Sequence, residues 1–175
     1  MDSVTVFQVA ADRIETHFDD LAAIIRESVG GGGAIGFLQP FTADDADRFW
    51  RRTIRPEIAS GQRILFAAAR NGPIVGTVQL VVGMPPNQPH RCEIAKMAVR
   101  PAARRQGIAR ALLAAAERQA RALGRTLVTL DTRTGDSAEA LYASMGFERA
   151  GIIPDYALDP DGAARHATTC MFKRL

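Results

Sequence analysis

The chain has 175 residues, of which 47% are hydrophobic and 23% charged, with a net charge of +3 and 2 cysteines. That is enough to bury one hydrophobic core, and it excludes disordered, fibrous and disulfide-stapled classes. No apolar run approaches the roughly 20 residues of a membrane helix, and Met1 to Val4 has no leader-like apolar stretch, so a cytoplasmic protein of a single domain, residues 1–175, is expected.

In chain order, Val4 to Ala10 predicts a first strand. His17 to Val29 predicts an amphipathic helix with Leu21, Ile24, Ile25 and Val29 near one face, ended by a flexible loop from Gly30 to Gly33. Thr42 is the expected N-cap of a second helix, with Asp44, Asp45 and Asp47 in its acid-favouring first turn. That helix runs to about Ser60, bent by Pro56, with Phe49 and Trp50 in the core. Arg63 to Arg70 and Ile74 to Val82 form a hairpin across Asn71-Gly72-Pro73. After a Pro-rich loop, Arg91 to Val99 is a strand stopped by Pro101. Gln106 to Leu123 is an Ala-rich helix closed by Gly124. Thr126 to Asp131 reads as a strand buried in a parallel pairing. A short helix, Ser137 to Met145, precedes two final strands, Phe147 to Ile153 and Thr168 to Lys173. The order implies an α/β architecture, a mixed sheet with helices on both faces. Cys92 and Cys170 fall in strand-like runs and read as free thiols.

Charge is unevenly spread. Between Arg91 and Arg125 stand nine basic residues and two acids, Glu93 and Glu117, a local charge of +7 against −4 for the rest. An anionic ligand should dock there. No zinc-finger spacing, aromatic–basic RNA signature or basic tail is present, so nucleic acid is not the expected anion. His17, His90 and His166 have no metal-ligand spacing, and no metal is expected. The strongest motif is the turn after Pro101. There Arg104, Arg105, Gln106, Gly107, Ile108, Ala109 and Arg110 lead straight into a helix. Gly107 lets the backbone approach a phosphate, the free N–H groups of the helix start point at the anion, and the arginines add charge-assisted bonds. It is neither a Walker loop nor a dinucleotide-binding fingerprint.

The run Met97-Ala98-Val99-Arg100-Pro101-Ala102-Ala103-Arg104-Arg105-Gln106-Gly107-Ile108-Ala109 resembles the core motif of the GCN5-related N-acetyltransferase (GNAT) family, Gln/Arg-x-x-Gly-x-Gly/Ala. Leu141-Tyr142-Ala143-Ser144-Met145-Gly146-Phe147 is similar to a second family element. The resemblance implies the GNAT fold, a twisted mixed sheet of about seven strands splayed in the middle, with about four helices. It also implies acetyl-CoA as co-substrate. The backbone of Met97, Ala98 and Val99 would pair with the pantetheine and acetyl ends, and the turn from Arg104 to Arg110 would hold the pyrophosphate. Tyr142 stands where the family carries its general-acid tyrosine. Within the family, Gly31 to Phe37, Arg91 to Lys96, Leu130-Asp131-Thr132, Ala138 to Tyr142 and Pro160-Asp161-Gly162 are similar to the tabtoxin-resistance branch. That points to a small-molecule amine acceptor and a toxin- or antibiotic-resistance role. A homodimer is a further family expectation.

An alkyl amine, with a pKa of roughly 10, arrives protonated and needs a base. Alternation puts Glu93, Ala95, Met97 and Val99 on one strand face, and Leu127, Thr129 and Asp131 on another. On neighbouring strands Glu93 and Asp131 would both face the acceptor, binding the amine and sharing the base role. Phe37, beside the Gly-rich loop, is expected to shape the acceptor pocket, with Tyr156 a lesser candidate. A peptide or protein amine as acceptor, and a non-catalytic acetyl-CoA-binding module, are the alternatives.

Overall fold

The computed structural model describes residues 4–175; Met1 to Ser3, part of the stretch read for a leader, lie outside the described residues. A 3-10 turn separates β1 (Val4–Val9) from α1 (Phe18–Gly30), which buries Leu21, Ile24, Ile25 and Val29 as the periodicity requires. Thr42 caps the second helix reciprocally. Its hydroxyl accepts from the Asp45 amide (3.2 Å), and the Asp45 carboxylate accepts from the Thr42 amide (2.9 Å).

That helix is not uniform. It runs as α2 (Ala43–Asp47), a π-helical stretch Arg48–Ile54, and α3 (Arg55–Ala59). Pro56 has no N–H for the carbonyl four residues back, so the turn just before it widens. The Thr53 hydroxyl takes up the Arg48 carbonyl at 3.1 Å. The widened turn keeps Trp50 and Ile54 in the core, at 0% and 1% exposure.

The hairpin β2 (Arg63–Arg70) and β3 (Ile74–Val81) is followed by β4 (Arg91–Val99), α4 (Ile108–Ala122), β5 (Leu127–Arg133), α5 (Ser137–Ser144), β6 (Glu148–Leu158) and β7 (Arg165–Arg174). The seven strands form one sheet in the order β1-β2-β3-β4-β5-β7-β6, antiparallel except for the β4–β5 pair. α4 and α5 cover one face over Val78, Leu80, Cys92, Ile94, Val128 and Leu130. α1 and the α2–α3 helix cover the other, over Leu65, Ala67, Ile74 and Ala98. Both cysteines are free; Cys92 is buried and Cys170 half-buried. Among the described residues no helix is long and apolar enough to cross a membrane.

Two expectations need correction. β6 and β7 are longer than their hydrophobic runs. Asp155 takes φ +51 at an irregularity between Ile153 and Ala157, which lets β6 continue past Pro154 to Leu158. More consequentially, β4 does not alternate evenly. Thr77 pairs with Ala98 and Gln79 with Ala95, so Lys96 and Met97 together face the single Val78. This β-bulge, with Lys96 at φ +50, slips the pleat by one residue. Met97 and Val99 therefore join Cys92 and Ile94 on the α4 side, while Ala98 lies on the α1 side. Glu93 and Ala95 do not share a face with Met97 and Val99.

Candidate active site

β4 and β5 pair over only three rungs: Arg91 with Leu127, Cys92 with Val128, and Glu93 with Thr129. Beyond them β5 stays with β7 as far as Arg133, while β4 stays with β3 as far as Val99. The sheet therefore splays after Glu93, just before the β4 bulge at Lys96 and Met97. The wedge opens into a cleft of about 1460 Å³ between the α4–α5 side and the loop after α1.

One end of the cleft is built for an anion. Gly107, the residue before α4, takes φ +78, where an L side chain is strained although a Cβ would meet nothing within 4 Å. Arg105 also has positive φ, +63. Among the described residues no backbone N–H from Arg105 to Arg110 has a backbone acceptor, because the turn and the first turn of α4 leave them unpaired. Such a row at the positive end of a 15-residue helix is an anion site.

The side chains divide. Arg104 Nε donates to the Val99 carbonyl (3.1 Å), bracing the turn against the end of β4. Arg110 reaches to the end of α5, donating to Ser144 Oγ at 2.8 Å and approaching Met145 Sδ at 2.9 Å. The Gln106 side chain does not line the cleft. It accepts from Arg70 and donates to the Ala102 carbonyl (3.3 Å), so only its backbone is offered to a ligand. Nor is all the local positive charge aimed at the cleft. Arg100 is held by Glu27 at 2.5 Å and Asp20 at 3.8 Å, tying α1 to the end of β4.

The other end gathers the remaining predicted residues. Thr129 stands opposite Glu93, so Asp131, two residues on, shares the Glu93 face despite the bulge. Glu93 is 3.4 Å from the Arg91 guanidinium, and the Asp131 carboxylate accepts from the Thr168 hydroxyl at 3.1 Å. Both line the cleft. Tyr142 is buried, edge-on to Phe147 with centroids 5.7 Å apart, and also lines it. Burial pushes the Tyr142 phenol up, and the charges of Asp131 and Asp136 push it the same way. Phe37 wedges edge-on between Phe41 (4.9 Å) and Phe49 (5.0 Å).

Three further residues at this end had weak signals or none. Tyr156 lies on the lengthened β6, with its phenol pushed up first by the nearby Asp131 charge. His166, marked in the sequence only by its lack of metal-ligand spacing, lines the cleft with Nε2 buried and no hydrogen-bond partner among the described residues. Lys96 sits at the bulge, a position that only the β3–β4 register reveals. Among the described residues no three His, Cys, Asp or Glu gather as a metal site.

The model of the Acetyltransferase (GNAT) family matches residues 35–147, from within the loop after α1 through the splay, the turn into α4 and α5. The chain belongs to the GNAT acetyltransferase family. This acetyltransferase is 33% identical over 131 residues, 71% of its length, to an N-acetyltransferase encoded in the hisH-hisA intergenic region of Azospirillum brasilense, covering 76% of that protein. Two solved structures share its fold. The ribosomal-protein-alanine N-acetyltransferase of Brucella melitensis matches with a TM-score of 0.79 at 21% identity, covering 98% of this chain and 99% of that one. The yncA acetyltransferase of Salmonella typhimurium, solved with its cofactor acetyl-CoA, matches with a TM-score of 0.78 at 17% identity, covering 99% and 95%.

Proposed function

We propose that this acetyltransferase moves the acetyl group of acetyl-CoA onto a primary amine of a small molecule. One observation carries the reading: a splayed parallel pair has a row of unpaired helix-start N–H groups at one end and two carboxylates with a buried tyrosine at the other. The donor set fits the cofactor. The N–H groups from Arg105 to Arg110, with Arg104 and Arg105, suit a pyrophosphate, and the β4 backbone from Met97 to Val99 is left unpaired toward β5 for an amide-bearing chain. When bound, acetyl-CoA supplies a thioester activated toward amines.

Glu93 and Asp131 attract the cationic amine and take its proton. The nitrogen would then bond to the acetyl carbon as the carbon–sulfur bond breaks, its second proton leaving to the other of the two carboxylates. A backbone N–H at Met97 to Val99 faces the developing charge on the carbonyl oxygen. Tyr142, kept protonated by its burial, gives its proton to the leaving sulfur.

The acceptor end supports a small molecule over a peptide. The loop after α1 is tied down by the Gln39 backbone N–H donating to the Pro160 carbonyl (2.7 Å) and by Lys96 donating to the Ile35 carbonyl (2.8 Å), roofing the cleft between α1 and the β6–β7 turn. Toxin or antibiotic amines are the acceptors we favour, on the resemblance carried by Gly31 to Phe37 and Pro160-Asp161-Gly162. Thiol release from acetyl-CoA, measured over amino acids, polyamines, aminoglycosides and peptides, tests the reading. Replacing Glu93 and Asp131 together by their amides should cut turnover on the best amine at least about 100-fold. The KM for acetyl-CoA should stay within about twofold, since neither carboxylate touches the anion turn. Unchanged turnover overturns the carboxylate role, and peptides outrunning every small amine overturn the acceptor class.

A further inference from the structure

The acceptor end holds a charge that acetyl transfer to a plain amine does not use. Lys96 occupies the β4 bulge in the left-handed backbone region, at φ +50. There it stands apart from its strand neighbours and lines the cleft rather than a helix-covered face. Its ammonium donates to the Ile35 carbonyl at 2.8 Å and lies 5.4 Å from the centroid of the Phe37 ring. Gly36 completes the nest, since a Cβ there would come within 2.6 Å of Lys96 Nζ.

An ammonium has three donors, and only one bond is made among the described residues. No carboxylate among them comes within ion-pair distance of it, although Glu93 and Asp131 share its cleft and pull on its charge from further off. A partly desolvated cation with donors to spare is costly unless a ligand completes it. Burial holds Lys96 below the usual lysine range and the Arg63 charge pushes it the same way, while Asp131 and Glu93 pull against both.

We propose that Lys96 selects the acceptor: its ammonium receives a carboxylate carried beside the reacting amine, while that amine lies between Glu93 and Asp131. The two walls then match a zwitterion, with one cation facing the substrate anion and two anions facing its ammonium. A plain amine fills the second site and leaves Lys96 incomplete. The inference rests on the acetyl-transfer reading of this cleft.

Matched acceptors test it: an α-amino acid, its amide and its decarboxylated amine, each with acetyl-CoA. The wild-type protein should favour the acid over both analogues by about tenfold or more in kcat/KM. Lys96→Met should erase that preference, lowering kcat/KM for the acid at least about tenfold more than for the decarboxylated amine, and Lys96→Arg should keep part of it. Equal loss on acid and amine in Lys96→Met would reduce the lysine to a loop tether and overturn the proposal. Indifference of the wild-type protein to the carboxylate overturns it without any variant, and leaves acetyl transfer standing. Turnover of no amine at all sinks the underlying reading, and this inference with it.

Discussion

Tyr142 shows how far one residue's chemistry depends on its surroundings. On α5 its ring is packed against Phe147 with 5% exposure, yet the side chain lines the cleft. Burial and the charges of Asp131 and Asp136 act in the same direction, making the phenolate unfavourable. A group so held donates a proton or a hydrogen bond; it does not serve as the base. Tyr142→Phe keeps the packing and removes the donor. It should lower kcat by roughly 100-fold, with the KM for acetyl-CoA moved by less than about twofold because the anion turn is untouched. Steady-state kinetics on one good amine would settle the role, and an unchanged kcat would return Tyr142 to the core. The left-handed backbone of Lys96 belongs to the same scale. Such a conformation costs on the order of 1–3 kcal/mol for a residue with a side chain, and strain of that kind concentrates at working sites.

At the scale of elements, the turn into α4 and the bulge in β4 do complementary work. The bulge shifts the β3–β4 register beside the splay, and the turn presents its N–H row at the mouth. Gly107 is the weak point of the turn. Nothing crowds a Cβ there, so the penalty for alanine is conformational, not steric. Gly107→Ala should cost about 1–2 kcal/mol for an L residue at φ +78, a fall in melting temperature of roughly 2–8 °C for a chain of this size. If the turn relaxes to escape that strain, the N–H row moves with it. The KM for acetyl-CoA should then rise while kcat at saturation holds. Calorimetry and a cofactor titration separate the two effects, and an unaltered KM would show that the turn does not hold the cofactor.

For the whole molecule, the sheet is continuous except at its centre, where three rungs join β1–β4 to β5–β7. Two sub-sheets joined so narrowly depend on what bridges them. Arg110 on α4 reaches Ser144 on α5, and Lys173 on β7 reaches Glu117 on α4 at 2.8 Å. A cofactor lying in the splay would be one more bridge, binding the folded state alone. At 100 times its Kd, acetyl-CoA should add about 2.7 kcal/mol to stability, visible as a rise of several degrees in melting temperature. Acetyl-CoA without effect on melting at saturating concentration would argue against the splay as its site.

Much of this protein is legible without its tertiary structure. Hydrophobic periodicity, the Thr42 cap, the Asn71-Gly72 turn and the glycine closing α4 place almost every element, because local hydrogen bonding and side-chain burial act over a few residues. Gly107 and the arginines around it mark, for the same local reason, the turn we propose for an anion. The sequence also names Glu93, Asp131 and Tyr142; strand register brings the two carboxylates together, and the packing of α5 adds Tyr142 to the same cleft. Even alternation, however, sets Glu93 beside Met97, and the bulge at Lys96 undoes it, since a one-residue slip depends on how β3 pairs with β4. Lys96 and His166 became visible only once distant strands and a loop closed around the same space, where Tyr156, a lesser candidate in the sequence, joins them. Local spacing could determine the elements and the anion turn; which charges meet at the acceptor end was decided by long-range strand register, which no run of neighbouring residues encodes.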